Sequence, residues 1–252
     1  PSNSSAASDV YKRQELDAAL LANEVDLCVH SLKDVPVLEN PALPIGAYPK
    51  RAPAYDGMVL PKQQSFADWN QSLPVGSASS RRTLQFQMQY PNCTVHPIRG
   101  NVLTRLEKLD RGEYGALILA EAGLQRLGLE HRITRRFSPA EIVPAAGQGI
   151  LAVQGRAGEY TDLLQRLNDQ QAAFCAKIER AVSKALNGDC TAPIGAYADL
   201  QGEHVTLYGF YAEDGVGIKS TLTGSVTQAE SLANTFAEQL KQQVQAKKEA
   251  ML

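Results

Sequence analysis

Ala116-Leu117-Ile118-Leu119-Ala120 restricts the possible folds of this chain more than any other segment. Five consecutive apolar residues need cover on both faces, the pattern of a strand inside a parallel sheet. The preceding residues complete the unit: Thr94 to Ile98 reads as a strand, and Asn101 can cap a helix that places Val102, Leu106 and Leu109 on one face. Gly112 closes that helix. Upstream, Leu73-Pro74-Val75 leads into Gly76-Ser77-Ala78-Ser79 and a helix to about Gln89. Earlier still, a short helical pattern from Glu15 to Ala22 precedes Asp26 to His30, which reads as a buried strand ending in the polar Ser31 to Asp34 turn. This alternation predicts a βαβ series.

After Asp169 the pattern changes. Gln170 to Asn187 is an amphipathic helix, Val205 to Tyr211 and Gly217 to Gly224 alternate as antiparallel strands do, and Ala229 to about Lys247 is a second, polar helix. A small α+β domain follows from that order. Pro49 to Pro53 reads as a crossing between domains, and Gln148 to about Leu167 as the return. The expected division is 15–49 with 148–168, 50–147, and 170–252. Residues 1–14 open with a small, polar run that has no apolar centre and read as a non-native leader.

Bulk properties narrow the function. With 25 Lys+Arg against 27 Asp+Glu, a net charge of -2 gives the whole molecule no electrostatic reason to seek nucleic acid or an acidic membrane. No apolar run approaches the ~18 residues of a membrane span. Cys28, Cys93, Cys175 and Cys190 are scattered without a C-x-x-C pair, which suits reduced thiols in the cytosol. His30, His96, His131 and His204 form no metal-binding spacing, and no metal is expected.

The chemistry gathers where strands end. In open parallel sheets the ligand crevice lies beyond the carboxyl ends of the strands, and Asp34, Ser77 to Arg82 and Arg99 all follow strand-like segments. Arg81 and Arg82 fall in the first turn of a helix opened by Ser79 or Ser80, where positive charge opposes the dipole. A bound anion would compensate them. The dipeptide alone also fits a solvated pair; Arg99 and Arg105 on the next βα unit favour the anion site. Cys190, in Asn187-Gly188-Asp189-Cys190-Thr191-Ala192-Pro193, sits on a tight turn between helix and strand and suits either a modified cysteine or a small buried hydrophobe.

His30-Ser31-Leu32-Lys33-Asp34-Val35-Pro36, Gly76 to Arg82, Arg99-Gly100-Asn101-Val102-Leu103-Thr104-Arg105, Pro144-Ala145-Ala146-Gly147-Gln148-Gly149 and the Cys190 turn occur in that order. Together they resemble the porphobilinogen deaminase (hydroxymethylbilane synthase) family, from about Glu15 to the C-terminus. The resemblance implies two α/β domains of periplasmic-binding-protein type, the first incomplete, and a C-terminal α+β domain. It also implies a monomeric cytoplasmic transferase of tetrapyrrole biosynthesis that joins four porphobilinogen molecules. Cys190 would carry a dipyrromethane cofactor through a thioether, with Lys33, Asp34, Ser79, Arg81, Arg82 and Arg105 around it. Ser77, Arg81, Arg99, Arg105, Arg126 and Gln148 would bind substrate, whose acetate and propionate groups suit the arginine fork. Ser77 stands where the family usually has threonine, and Ala78 where serine is frequent.

Asp34 is the expected catalytic residue. Condensing pyrroles requires loss of ammonia, a cationic electrophile, attack by the next ring and loss of a proton, and one carboxylate could stabilise the charge and move protons. Burial would raise its pKa from the usual ~3.9 and Lys33 would lower it. Asp34 also fits a turn cap before Val35-Pro36. The family begins earlier than this chain, with a strand, an Arg/Gln-bearing helix and a Lys-containing glycine-rich loop, so a truncated and less active copy is expected. The alternatives are an inactive truncated deaminase and a non-catalytic anion-binding module of periplasmic-binding type.

Overall fold

The computed structural model describes residues 14–37, 40–187 and 193–251. The first half holds α1 (14–21), β1 (Leu27–Ser31), β2 (Ile45–Ala47), β3 (Asp56–Val59), β4 (Val75–Ser77), α2 (Ser80–Gln89), β5 (Val95–Pro97), α3 (Val102–Asp110), β6 (Ala116–Ala120) and α4 (Glu121–Gln125). There follow β7 (Ile133–Arg136), β8 (Leu151–Gly155), α5 (Thr161–Leu167), α6 (Gln170–Ala185), β9 (Ile194–Gln201), β10 (His204–Glu213), β11 (Val216–Ser225) and α7 (Ala229–Glu249). The strands form three sheets in an α/β architecture with a C-terminal α+β unit.

The middle sheet has the order β5-β4-β6-β3-β7. Along β6, Ala116 and Ile118 join Met58, Val75, Phe86 and Phe137 on one face, while Leu117 and Leu119 join Val59, Ile98, Leu106 and Leu109 on the other. Both faces are covered, which is why the run lacks polar alternation. The strand is parallel to β4 but antiparallel to β3, so the sheet is mixed rather than purely parallel. Asn101 accepts the Thr104 N–H at 2.9 Å and caps α3; at its other end Gly112 takes φ 83°.

The first sheet is antiparallel, β1-β8-β2. Here the expectation of a buried Asp26 to His30 strand is corrected: β1 begins at Leu27, buries Cys28 and leaves Val29 61% exposed. Successive side chains of a strand point to opposite faces, and only the Cys28 face meets Leu20 and Leu43. Leu32, Ile150 and Ala152 at the end of this sheet enter a different core, shared with Ala176, Ile178 and Val182 of α6 and Phe236 and Leu240 of α7. The C-terminal sheet, β11-β10-β9, carries both helices against it in that core.

Two irregular connections, 48–55 and 137–150, join the first and middle sheets. They touch where Ala52 N–H donates to the Gly149 carbonyl at 2.9 Å. A Cβ on Gly149, which has φ 84°, would lie 2.4 Å from the Ala52 oxygen, so the close crossing requires glycine.

Candidate active site

Topology brings the chemical residues together. β4, β5 and β6 are parallel, so Ser77, Pro97 and Ala120 end at one edge of the middle sheet. β3 runs the other way, and its first residue, Asp56, pairs with Ala120 at that same edge. In the first sheet Ser31 pairs with Leu151, so the Lys33-Asp34 turn and Gln148 lie at a common end. The two edges meet in a side-chain cluster in which Gln148 reaches Asp56.

Asp56 is its buried centre. The carboxylate is fully buried and accepts from Arg81 Nη1 at 2.8 Å, Arg82 Nε at 2.8 Å and Gln148 Nε2 at 2.9 Å. Burial alone would raise its pKa, but Arg81 and Arg82 with the hydrogen bonds bring it down to about 2. Gln148 is 1% exposed; its Oε1 faces Arg82 Nη2 at 3.2 Å and its Nε2 also donates to the Ala54 carbonyl at 2.6 Å. Arg81 Nη1 donates further to the Val143 carbonyl at 2.5 Å. The anion expected to offset the arginine pair is therefore supplied, in part, from within the chain. Sequence reading missed Asp56; the available signal was an acid opening the apolar run Gly57-Met58-Val59-Leu60.

Among the described residues, positive charge remains after this pairing. Burial and then the Arg82 guanidinium bring the Lys33 ammonium down to about 8, although Asp34 and Asp56 act in the opposite direction. Arg105, part-buried on α3, is lowered too, by burial first and Arg82 second. Arg82 thus links Lys33 of the first sheet electrostatically to Arg105 of the middle one. Among the described residues, the carboxylates beside Lys33, Arg81 and Arg82 are those of Asp34 and Asp56. Each guanidinium presents five N–H donors, more than these internal contacts use.

The remaining expected residues are arranged around this cluster. Asp34 is exposed at the end of a one-turn 3-10 helix, Leu32–Asp34. Ser77 is 4% exposed, and its Oγ accepts the Ser79 N–H at 3.3 Å. Ser79 occupies the N-cap of α2 without a side-chain cap bond. Arg99 and Arg126 are exposed and, among the described residues, stand outside the Asp56 network. Cys190 lies outside the described residues. The other cysteines are buried, and burial raises their thiols, Cys175 to about 11.

Glu179 and Arg180 of α6 were also not anticipated. Glu179, fully buried, accepts from Arg51 at 2.6 and 3.1 Å, from Gly147 N at 2.7 Å and from Ala198 N at 2.9 Å. Arg51 in turn donates to the Gln148 carbonyl at 2.9 and 3.1 Å. One carboxylate therefore ties both sheet connections to the C-terminal unit. Its trace in the sequence is an acid on the helical stripe of Ala172, Cys175, Ala176 and Ser183.

Among the described residues no three His, Cys, Asp or Glu side chains are grouped to hold a metal ion, and no helix is long and apolar enough to cross a membrane.

Comparison with known proteins gives a consistent assignment. Residues 5–163 match the family model described as porphobilinogen deaminase, dipyromethane cofactor binding domain, and residues 173–242 match that of the porphobilinogen deaminase C-terminal domain. The porphobilinogen deaminase of Acetivibrio thermocellus is 51% identical over 225 residues, 89% of this chain and 76% of that protein. That of Alkaliphilus oremlandii is 46% identical over 229 residues, 90% of this chain and 77% of its own. A TRAP periplasmic solute binding protein from Desulfovibrio salexigens overlays at a TM-score of 0.37 and 12% identity, over 65% of this chain and 60% of that one, too distant to argue from. The chain belongs to the porphobilinogen deaminase family, a family of transferases.

Proposed function

We propose that this site condenses four porphobilinogen molecules head to tail, releasing hydroxymethylbilane and ammonia. The observation that carries the reading is the grouping of Lys33, Arg81, Arg82 and Arg105, more cations than there are carboxylates beside them among the described residues, next to an exposed Asp34. That donor set fits a ligand with several carboxylates, and it fits a dipyrromethane group with its acetates and propionates. When bound, that group supplies the primer to which substrate pyrroles are joined, and Cys190 is its attachment point.

Arg81, Arg82 and Arg105 bind carboxylates through charge-assisted hydrogen bonds, each typically worth about 1.5–3 kcal/mol. Asp56 and Gln148 hold the first two guanidiniums in place, so little reorganisation accompanies binding. Ser77, Ser79, Arg99 and Arg126 extend the substrate contacts along the sheet edge. The Asp34 carboxylate stabilises positive charge at the pyrrole N–H groups and takes the proton released on ring joining. The enzyme acts as a cytoplasmic monomer, with 15–49 and 148–168 forming one domain, 50–147 a second and 170–252 a third.

The test is turnover of porphobilinogen by Asp34→Asn. Turnover should fall by about 10²–10⁴-fold while ligand binding persists, because the lost charge is needed only as the cation develops. Intact mass should show two linked pyrrole units, absent from Cys190→Ser. Near-normal turnover of Asp34→Asn, or the added mass on Cys28, Cys93 or Cys175, would contradict the assignment.

A further inference from the structure

The Lys33-Asp34 turn is held at both ends by elements outside its own sheet. At its start, Leu32 is 1% exposed in the core shared with α6, and its N–H donates to the Ile150 carbonyl at 3.0 Å. At its end, Val35 N–H returns to the Leu32 carbonyl at 3.0 Å, and the chain continues extended into Pro36. There Arg180 of α6, only 8% exposed, takes three successive main-chain carbonyls: Val35 at 3.1 Å through Nη1, and Pro36 at 2.6 Å and Val37 at 3.3 Å through Nη2. A planar guanidinium fixes the path of such a segment in a way that a flexible ammonium does not.

We infer that Arg180 is a positioning residue for catalysis: by clamping the carbonyls of Val35, Pro36 and Val37 it sets the Asp34 carboxylate against the arginines of the middle sheet. This rests on the role of Asp34 proposed above. Glu179, the preceding residue, binds Gly147 N and the Arg51 that reaches the Gln148 carbonyl, so adjacent residues of α6 reference the two sides of the site to a single helix. Arg180 acts through the aspartate, by way of the main chain that follows it. Its loss should lower kcat more than it weakens substrate, because carboxylate binding resides in Arg81, Arg82 and Arg105.

The experiment uses the full chain with Arg180→Gln and Arg180→Lys, in Asp34 and Asp34→Asn backgrounds, after intact mass confirms equal cofactor loading. Arg180→Gln should reduce kcat about 10–100-fold, the scale of an ångström-sized misplacement, with KM changed less than about threefold. Amide exchange at Val35 and Val37 should accelerate while Ala176 to Val182 stay protected. Arg180→Lys, which keeps the charge but not the fork, should recover only part of kcat. In Asp34→Asn the Arg180→Gln change should cost less than about threefold, since the group it positions is already disabled. Normal kcat in Arg180→Gln beside a disabled Asp34→Asn overturns this inference alone, as does an equal loss in both backgrounds. Near-normal turnover of Asp34→Asn by itself overturns the Asp34 reading and this inference with it.

Discussion

In the middle sheet, Ile118 faces a core completed by Phe86 of α2, and Leu117 faces one completed by Leu106 and Leu109 of α3. In the first sheet the local clusters are small, Leu20, Cys28 and Leu43 on one side and Ala47, Val153 and Leu164 on the other. Leu32 and Ile150 instead belong to the core of the C-terminal unit. The middle region thus builds its own support, and its arginines are held by a carboxylate of the same sheet. The first region borrows its support, and the segment after its Lys33-Asp34 turn is held through α6. The arginine cluster is therefore held from within its own sheet by Asp56, whereas the segment after Asp34 is held by a helix of the C-terminal unit.

The largest effect that would break this contrast is in Asp56→Asn. Removing one partner of a buried ion pair typically costs about 3–5 kcal/mol, and here two guanidiniums lose their counter-charge. Chemical denaturation should show that loss, with exchange accelerated in β3 and α2. A cost below about 1 kcal/mol would mean that the arginines do not need Asp56.

Leu32→Ala sharpens the other side. A buried leucine-to-alanine change costs about 2–5 kcal/mol. Exchange should quicken in both β1 and α6 while β4 and β6 remain protected. Loosening confined to β1 would show that the first sheet does not lean on the C-terminal unit.

A smaller effect is acid sensitivity. The Asp56 pKa is about 2 in the fold against the ordinary 3.8, so its contribution is fully present above pH 3.8 and is lost as pH falls toward 2. The shift corresponds to about 2 kcal/mol. Urea titrations across that window should show the loss in the wild type and not in Asp56→Asn. Smallest is Asn101→Ala, which removes the α3 cap and should cost about 1 kcal/mol, with faster exchange confined to the first turn of that helix.

How far the sequence could be read follows the same division. β6, the Asn101 cap and the Gly112 stop were legible because local pattern determines them. The need for an anion beside Arg81 and Arg82 was legible from helix electrostatics, but its internal source was not: Asp56 lies 25 residues from Arg81 in the chain and meets it only because β3 reverses in the sheet. Asp26 to His30 read as a buried strand because Leu27-Cys28-Val29 is apolar; that Val29 would face outward depends on which elements cover the strand. Glu179 and Arg180 looked like ordinary helix charges, since nothing local indicates which carbonyls and amides they reach.

Whether cations from both regions form one site with charge left for a polycarboxylate ligand is tested most directly by the pKa of Lys33, read from the pH dependence of its acylation rate by mass spectrometry in wild type and in Arg82→Gln. Lys33 should titrate at about 8 in the wild type and higher in Arg82→Gln, because a repelling charge has gone. As the pH passes about 8, Lys33 loses its proton and carboxylate binding should weaken, a change that Lys33→Arg should postpone. An ordinary lysine pKa near 10.4, unmoved by Arg82→Gln, would contradict a shared site.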